Sequence, residues 1–474
     1  MSTNHLEKLL YYFTEISAIP RGSGNEAAVA GFIENFAKEH GLECYRDGLN
    51  NVLIKAPASP GYEGEPAVLL QGHTDMVCEK NSGTVHDFLT DPLDIYIEDG
   101  WMYARGTTLG ADNGIAVAAM LTLLDDRALA HPPLECLFTT GEETGMDGAR
   151  GFDYSKISAR RMINLDVEGE GRVTVGCAGG SRTEIKLHCG FVTAEGTALR
   201  LKISGLMGGH SGIDISAIRA NANKLMGRVL LSLGRSVEYN LVSVRGGLMS
   251  NAIPRECEAV IVTRDAAAAT RVVERLAADI AAELGSDDAD FRLTCSPCGE
   301  PPRIMDSEYT LRAASLLACV GNGVIKMSAD IPGLVEHSRN LGIVTTDDKG
   351  LNLTISNRSA IESQLDESEE YLDAIADLCG AKASHYNRYP GWKYEKDSPL
   401  RDKFAAVCRD LLGREAVVEA VHAGLECGIM KAAIPEMDII AIGPDMENIH
   451  TPEERLNIAS CGRFMQILVS MLKK

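Results

Sequence analysis

Over the first 170 residues, short apolar runs alternate with stretches of helical length, and this alternation restricts the fold more than any other feature. Ala67-Val68-Leu69-Leu70, residues 134–139 and Met162-Ile163-Asn164-Leu165 are each bounded by turn residues and read as buried strands. Residues 115–124, rich in Ala, Leu and Met, are long enough for a helix between the first two. Upstream, Asn25 is placed to cap a helix whose apolar stripe is Ala28, Phe32, Ile33 and Phe36, with Gly41 as its stop. Strands alternating with helices predict an α/β domain, its mostly parallel sheet covered by helices. Open sheets of this kind gather ligands beyond the carboxyl ends of their strands.

From about residue 181 the texture changes. Leu199-x-Leu201-x-Ile203-Ser204 alternates like a half-exposed strand, then gives way to a glycine-rich turn and an Ala/Leu helix. Leu351-x-Leu353-x-Ile355-Ser356 repeats the spelling before a helix ending near Leu378. The expected layout is a catalytic domain in two parts, residues 1–180 and 386–474, interrupted by an inserted α+β lid domain of two related halves, residues 181–385. In the returning part, Met437-Asp438-Ile439-Ile440-Ala441-Ile442 reads as a strand and residues 461–474 as a closing amphipathic helix.

With 474 residues, 45% of them apolar, the chain can bury a large core. Its 46 basic and 67 acidic residues give a formal charge of -21, which disfavours nucleic acid and anionic membranes as partners. No window approaches a membrane-spanning apolar run, and the start, MSTNHLEKLLYYF, reads as an amphipathic helix rather than a signal peptide. The 13 cysteines are odd in number and scattered, so a reducing cytoplasm is expected. Cys295-Ser296-Pro297-Cys298 has no second pair to complete a thiolate site and reads as two ordinary thiols.

Chemistry-bearing side chains collect at the ends of the expected strands. In Gln71-Gly72-His73-Thr74-Asp75, residues two apart on an extended chain share a face, so Asp75 can reach the imidazole of His73 and fix its free nitrogen as a ligand. Gly110-Ala111-Asp112-Asn113-Gly114 precedes a helix, Gly141-Glu142-Glu143 follows a strand, and Asn164-Leu165-Asp166 ends another. Asn448-Ile449-His450-Thr451-Pro452 places a histidine before a proline-opened helix. Singly, each has an ordinary reading: a core histidine, a tight turn, solvated loop charge. Jointly, they form a nitrogen and oxygen donor set suited to zinc, with manganese or cobalt as substitutes. The set exceeds the needs of one four-coordinate ion and fits two, about 3.5–4 Å apart with a shared carboxylate.

The series His73-x-Asp75, Asp112-Asn113-Gly114, Glu142-Glu143, Asp166 and His450-Thr451-Pro452 resembles the M20 family of metallopeptidases, across essentially the whole chain and in order. Ile19-Pro20-Arg21-Gly22-Ser23 and His422-Ala423-Gly424-Leu425-Glu426 resemble its branch of bacterial aminoacyl-histidine dipeptidases, whose inserted domain is about twice the family's usual lid. The resemblance implies a zinc-exopeptidase-like catalytic domain with two divalent ions bridged by Asp112. His73 and Asp166 would complete one ion, Glu143 and His450 the other.

It also implies Glu142 as the general base acting on a water between the metals, Asp75 as the orienting partner of His73, and His210 as the group polarising the scissile carbonyl. Arg358 would take a free substrate carboxylate, with Asn251 beside it, and Gly424 would line the pocket for the amino-terminal residue. The expected activity is hydrolysis of unblocked dipeptides, with a preference for carboxyl-terminal histidine, including β-alanyl-histidine. A sister hydrolase (tripeptidase, carboxypeptidase or amino-acid deacylase) and a catalytically silent binding protein are the alternatives. An exposed sheet edge in the inserted domain leaves a homodimer open.

Overall fold

The computed structural model of the chain describes residues 5–193, 195–299 and 303–474. Two units emerge. The first takes the chain through Gly176, then Tyr394–Ala420 and Leu425–Lys474; the second takes Cys177–Lys393 and Val421–Gly424.

The first unit is built on an eight-stranded sheet. Its four central strands, Leu134–Thr139, Val68–His73, Arg161–Asn164 and Asp438–Ala441, run parallel. On one side Val52–Ala56 pairs antiparallel with Leu134–Thr139, and on the other Arg172–Cys177 pairs antiparallel with Asp438–Ala441. Every residue of Val68–His73 and Leu134–Thr139 is buried, as a sheet covered on both faces requires. Register fixes what matters next: His73 lies opposite Thr139, and Gln71 opposite Asn164, so three parallel strands finish at one end. The helix Ala111–Leu124 is buried nearly all round, which explains its lack of a polar face.

Two local expectations need correction. The helix Ala27–His40 starts from Glu26, and Asn25 does not cap it. The Glu26 carboxylate accepts the N–H of Gly24 at 2.9 Å and of Gly141 at 3.2 Å, so it is held by a loop outside the helix. The buried stripe is Val29, Ala30, Ile33, Phe36 and Ala37, while Ala28 faces solvent. Gly41 does end the helix, in the left-handed conformation expected of it. The second correction concerns Pro452, which opens no helix. Residues 451–454 form a turn between the strands Met446–Glu447 and Arg455–Asn457, and the last helix starts only at Ile458.

The second unit is a nine-stranded antiparallel sheet. Thr197–Ser204 alternates exposed and buried residues, and Leu199, Leu201 and Ile203 enter the unit's core beside Leu351, Leu353 and Ile355 of the strand Gly350–Ser359. Helices Ala222–Leu233, Ala266–Glu283, Ser307–Cys319 and Glu362–Leu378 close that core through residues such as Met226, Val273, Leu317 and Leu372. Among the described residues no helix is long and apolar enough to cross a membrane.

Candidate active site

Where the three parallel strands end, His73 closes its strand, Glu142 and Glu143 open a short helical turn after the next, and Asp166 follows the third. Asp112 enters from the start of a helix, joined to Asn113 by a cis peptide bond, and His450 from the 448–454 turn. Asp112 lies between the two imidazoles. Its Oδ1 is 3.1 Å from His73 Nε2, and its Oδ2 is 3.1 Å from His450 Nε2. Each imidazole meets a further acid: Asp166 Oδ1 is 3.4 Å from His73 Nε2, and Glu143 Oε1 is 3.0 Å from His450 Nε2. One carboxylate thus faces two nitrogen–oxygen sets, one on each oxygen. His73, Asp112 and Glu143 together offer ligand atoms all within 4.8 Å of one another.

Asp75 backs this arrangement. Its Oδ1 lies 3.3 Å from His73 Nδ1, leaving Nε2 for the cluster. The same carboxylate accepts the N–H groups of Glu142 and Glu143 and the Ser23 hydroxyl, so one side chain orients the imidazole and anchors the Glu142–Glu143 turn. Burial opposes ionisation of Asp75, but the His73 ring and these donors win and hold its carboxyl at about 2.

Two residues with no role assigned from sequence fix the Asp112 turn. Glu454, almost fully buried, accepts the N–H groups of Leu109, Gly110, Ala111 and Asp112 at 2.8–3.3 Å. Arg21, also buried, donates to the carbonyls of Thr74, Asp75 and Gly110. A side chain at Gly110 would collide with this guanidinium, and the turn's φ of +65° independently calls for glycine. Hydrogen bonds to charged groups contribute about 1.5–3 kcal/mol each, enough to hold a loop of backbone donors and acceptors against solvent. Glu454 lies four residues past His450, so one short segment both supplies an imidazole and grips the turn that carries Asp112.

Electrostatically the cluster is crowded with acids. Burial, with Asp166, Glu426 and Glu143 adding to it and His73 opposing, pushes the Glu142 carboxyl well above its ordinary value. Burial likewise raises Glu143. The hydrogen bonds of His450 to Asp112 and Glu143 raise it to about 10, and the carboxylates around His73 raise that ring despite its burial. Both imidazoles draw protons because the carboxylates need cations. A neutral imidazole and ionised carboxylates are what a divalent ion requires, so this donor set fits such ions by charge and by ligand type.

A second group gathers in the inserted unit around Gly212. An added Cβ there would stand 2.4 Å from the His422 carbonyl oxygen, 3.0 Å from His210 Cε1 and 3.3 Å from Arg358 Nε. His210 Nδ1 accepts the N–H groups of Gly212 at 3.3 Å and Ile213 at 3.1 Å. In the neutral ring those two contacts put the proton on Nε2, which is left as a donor. Burial and the Arg358 cation lower the pKa of His210 against the pull of Asp214. Asn251 lies next to Ala252, which pairs with His210, and its carbonyl accepts the Ser211 N–H at 2.8 Å.

Arg358 donates to the Tyr389 hydroxyl at 3.2 Å; its Nε is enclosed without a partner, and among the described residues no carboxylate pairs with it. Gly424 ends the 421–424 segment, in which buried His422 meets Ser338 Oγ at 2.7 Å. Cys295 and Cys298 pack against different apolar clusters and are both free thiols.

The sequence profile described as peptidase family M20/M25/M40 matches residues 69–474. The chain is 38% identical over 470 residues to the cytosol non-specific dipeptidase of Escherichia coli (strain K12), covering 98% of this chain and 96% of that one. Its structure is similar to the crystal structure of aminoacylhistidine dipeptidase from Vibrio alginolyticus, with a TM-score of 0.92 and 36% identity over 98% and 96% of the two chains. Aminopeptidase PepT from Bacillus cereus ATCC 10987 shares the fold at a TM-score of 0.57 and 15% identity, over 98% of each chain.

The lowered pKa of His210 and its two N–H donors give a sharp expectation: at pH 6.5 its ring is mostly neutral with the proton on Nε2, where a free histidine is half protonated. Nitrogen-15 NMR of imidazole-labelled protein, with a His210→Gln comparison for assignment, reads the tautomer directly. A ring protonated on both nitrogens at that pH contradicts the assignment.

Proposed function

This chain belongs to peptidase family M20/M25/M40, and from that premise we propose that it is a two-metal dipeptidase cleaving unblocked dipeptides, with carboxyl-terminal histidine preferred. One observation carries the metal assignment: each oxygen of Asp112 faces a different imidazole, and each imidazole has its own second acid. In this reading Asp112 is shared, His73 and Asp166 serve one ion, and Glu143 and His450 the other. Zinc suits these donors best, with cobalt or manganese as substitutes. Such ions supply Lewis acidity, which lowers the pKa of water from 15.7 toward about 7 and polarises a carbonyl.

The protein's own groups do the rest. Glu142 is the candidate base, because its side chain pairs with no other side chain among the described residues and its environment favours holding a proton. It takes the proton of the attacking water and delivers it to the leaving amine. Asp75 holds His73 through Nδ1. His210 donates Nε2–H to the carbonyl oxygen as negative charge develops there, a role for which a neutral ring in a fixed tautomer is suited.

Arg358, a cation with no carboxylate partner among the described residues, receives the free carboxyl terminus with Asn251 beside it, and Gly424 lines the pocket for the amino-terminal residue. Two names in the comparisons bear on specificity. The Vibrio protein is an aminoacylhistidine dipeptidase, which supports the histidine preference, while the Escherichia coli relative is called non-specific, which favours a broader second reading. A reducing, cytosolic setting is supported by the relative's name and by the 13 free cysteines.

Hydrolysis of β-alanyl-histidine, several α-dipeptides and their amidated forms, with and without a chelator, tests the reading. Free dipeptides are expected to be cleaved, amidated ones poorly, and chelation to abolish activity until zinc is restored. Cleavage that survives complete metal removal would falsify the metal assignment. Glu142→Ala is expected to keep a metal content near that of the natural protein while kcat falls at least about a hundredfold. Full activity in that variant removes Glu142 from the mechanism.

A further inference from the structure

Behind the strand ends lies a buried acid that the reaction above does not use. Glu426 opens the helix Glu426–Ala433 and is 0% exposed. Its Oε2 accepts hydrogen bonds from Gln71 Nε2 at 2.6 Å and Thr139 Oγ1 at 2.7 Å, whereas Oε1 is enclosed with no partner. No lysine, arginine or histidine among the described residues forms an ion pair with it.

Its two donors sit on the strands that carry the cluster. Gln71 precedes His73 by two residues, and Thr139 leads into the Glu142–Glu143 turn. Gln71 Oε1 in turn accepts from Asn164 Nδ2 at 2.6 Å, and Asn164 Oδ1 accepts the Asp166 N–H at 3.1 Å. Through one carboxylate, all three strand ends are tied together.

Hydrogen bonding alone does not explain an acid in this place. A glutamine would accept the same two hydrogen bonds through its carbonyl oxygen, and burying it costs far less than burying a charge. What the carboxylate adds is negative charge, on the same side of the sheet as His73 and Asp166. Burial pushes its carboxyl up to about 7, against the pull of His73 and Thr139 and with Asp166 and Asp75 adding to the rise.

We propose that Glu426 is a positioning residue that contacts Gln71 and Thr139 and serves as a buried counter-charge for the divalent cations without touching the cations themselves. The inference rests on the two-metal reading above. It predicts opposite effects of one substitution on the two states of the protein: without ions, ionising this buried acid is costly and nothing repays it; with them, its charge is compensated at a distance.

Glu426→Gln separates charge from hydrogen bonding. Zinc affinity of the full-length protein is measured by competition with a chromophoric chelator, and thermal unfolding is followed on the metal-free protein. The expected result is zinc binding weakened at least about tenfold, the low end for groups that support metal ligands, with a metal-free unfolding temperature equal to or above that of the natural protein. Unchanged zinc affinity overturns the counter-charge role, and a lowered metal-free unfolding temperature shows a purely structural acceptor and overturns it too. If the natural protein binds no zinc, the two-metal reading fails first, an outcome distinct from equal binding by the two proteins.

Discussion

The carboxylate of Asp112, shared between His73 and His450, is the contact on which the rest of the active centre depends. It lies among acids that burial and mutual repulsion make costly, and the buried cation Arg21 is spent on backbone carbonyls. A folded chain keeps such a concentration of like charge only where something else supplies positive charge. Imidazoles that hold protons well above their ordinary range show how strong that demand is.

Convergence at this point is a problem of backbone geometry before it is one of chemistry. Parallel pairing brings the ends of Val68–His73, Leu134–Thr139 and Arg161–Asn164 together, so their loops emerge side by side. Asp112 and His450 come from outside that set, separated by 338 positions. Glu454 and Arg21 bridge the gap by gripping the 109–112 turn from its N–H side and its carbonyl side. The inserted unit solves a different problem with the same economy: Gly212, having no side chain, lets His210, Arg358 and the His422 carbonyl meet. His210, whose Nδ1 is occupied by two N–H donors, and Arg358, which meets no carboxylate among the described residues, are then complementary donors, one suited to a carbonyl and one to a carboxylate.

Much of the first unit could be read from local patterns. The apolar run 134–139 coincides with its strand, residues 437–442 bracket Asp438–Ala441, and acids that follow such runs had to lie at a sheet edge where parallel strands end. His73 and Asp75 could be paired because a two-residue spacing on an extended chain has a geometric meaning. Residues whose partners are distant backbone groups left no such trace. Glu454 binds N–H groups more than 340 positions away and Arg21 binds carbonyls, while Glu426 holds side chains on strands hundreds of residues before it. No periodicity or motif encodes contacts of that kind. Asn25 and Pro452 show the opposite failure, in which a residue with a strong local preference lost to a tertiary demand: the Glu26 carboxylate bound to Gly141, and the tight 448–454 turn that presents His450.

Whether Asp112 truly stands between two cations is the question that decides this account. Crystals grown with zinc and measured on both sides of its absorption edge answer it without reference to substrate or rate. Two anomalous peaks per chain are predicted, one against each carboxylate oxygen of Asp112, the first beside His73 and the second beside His450. A single peak under saturating zinc, or peaks that leave Asp112 uncoordinated, would contradict it.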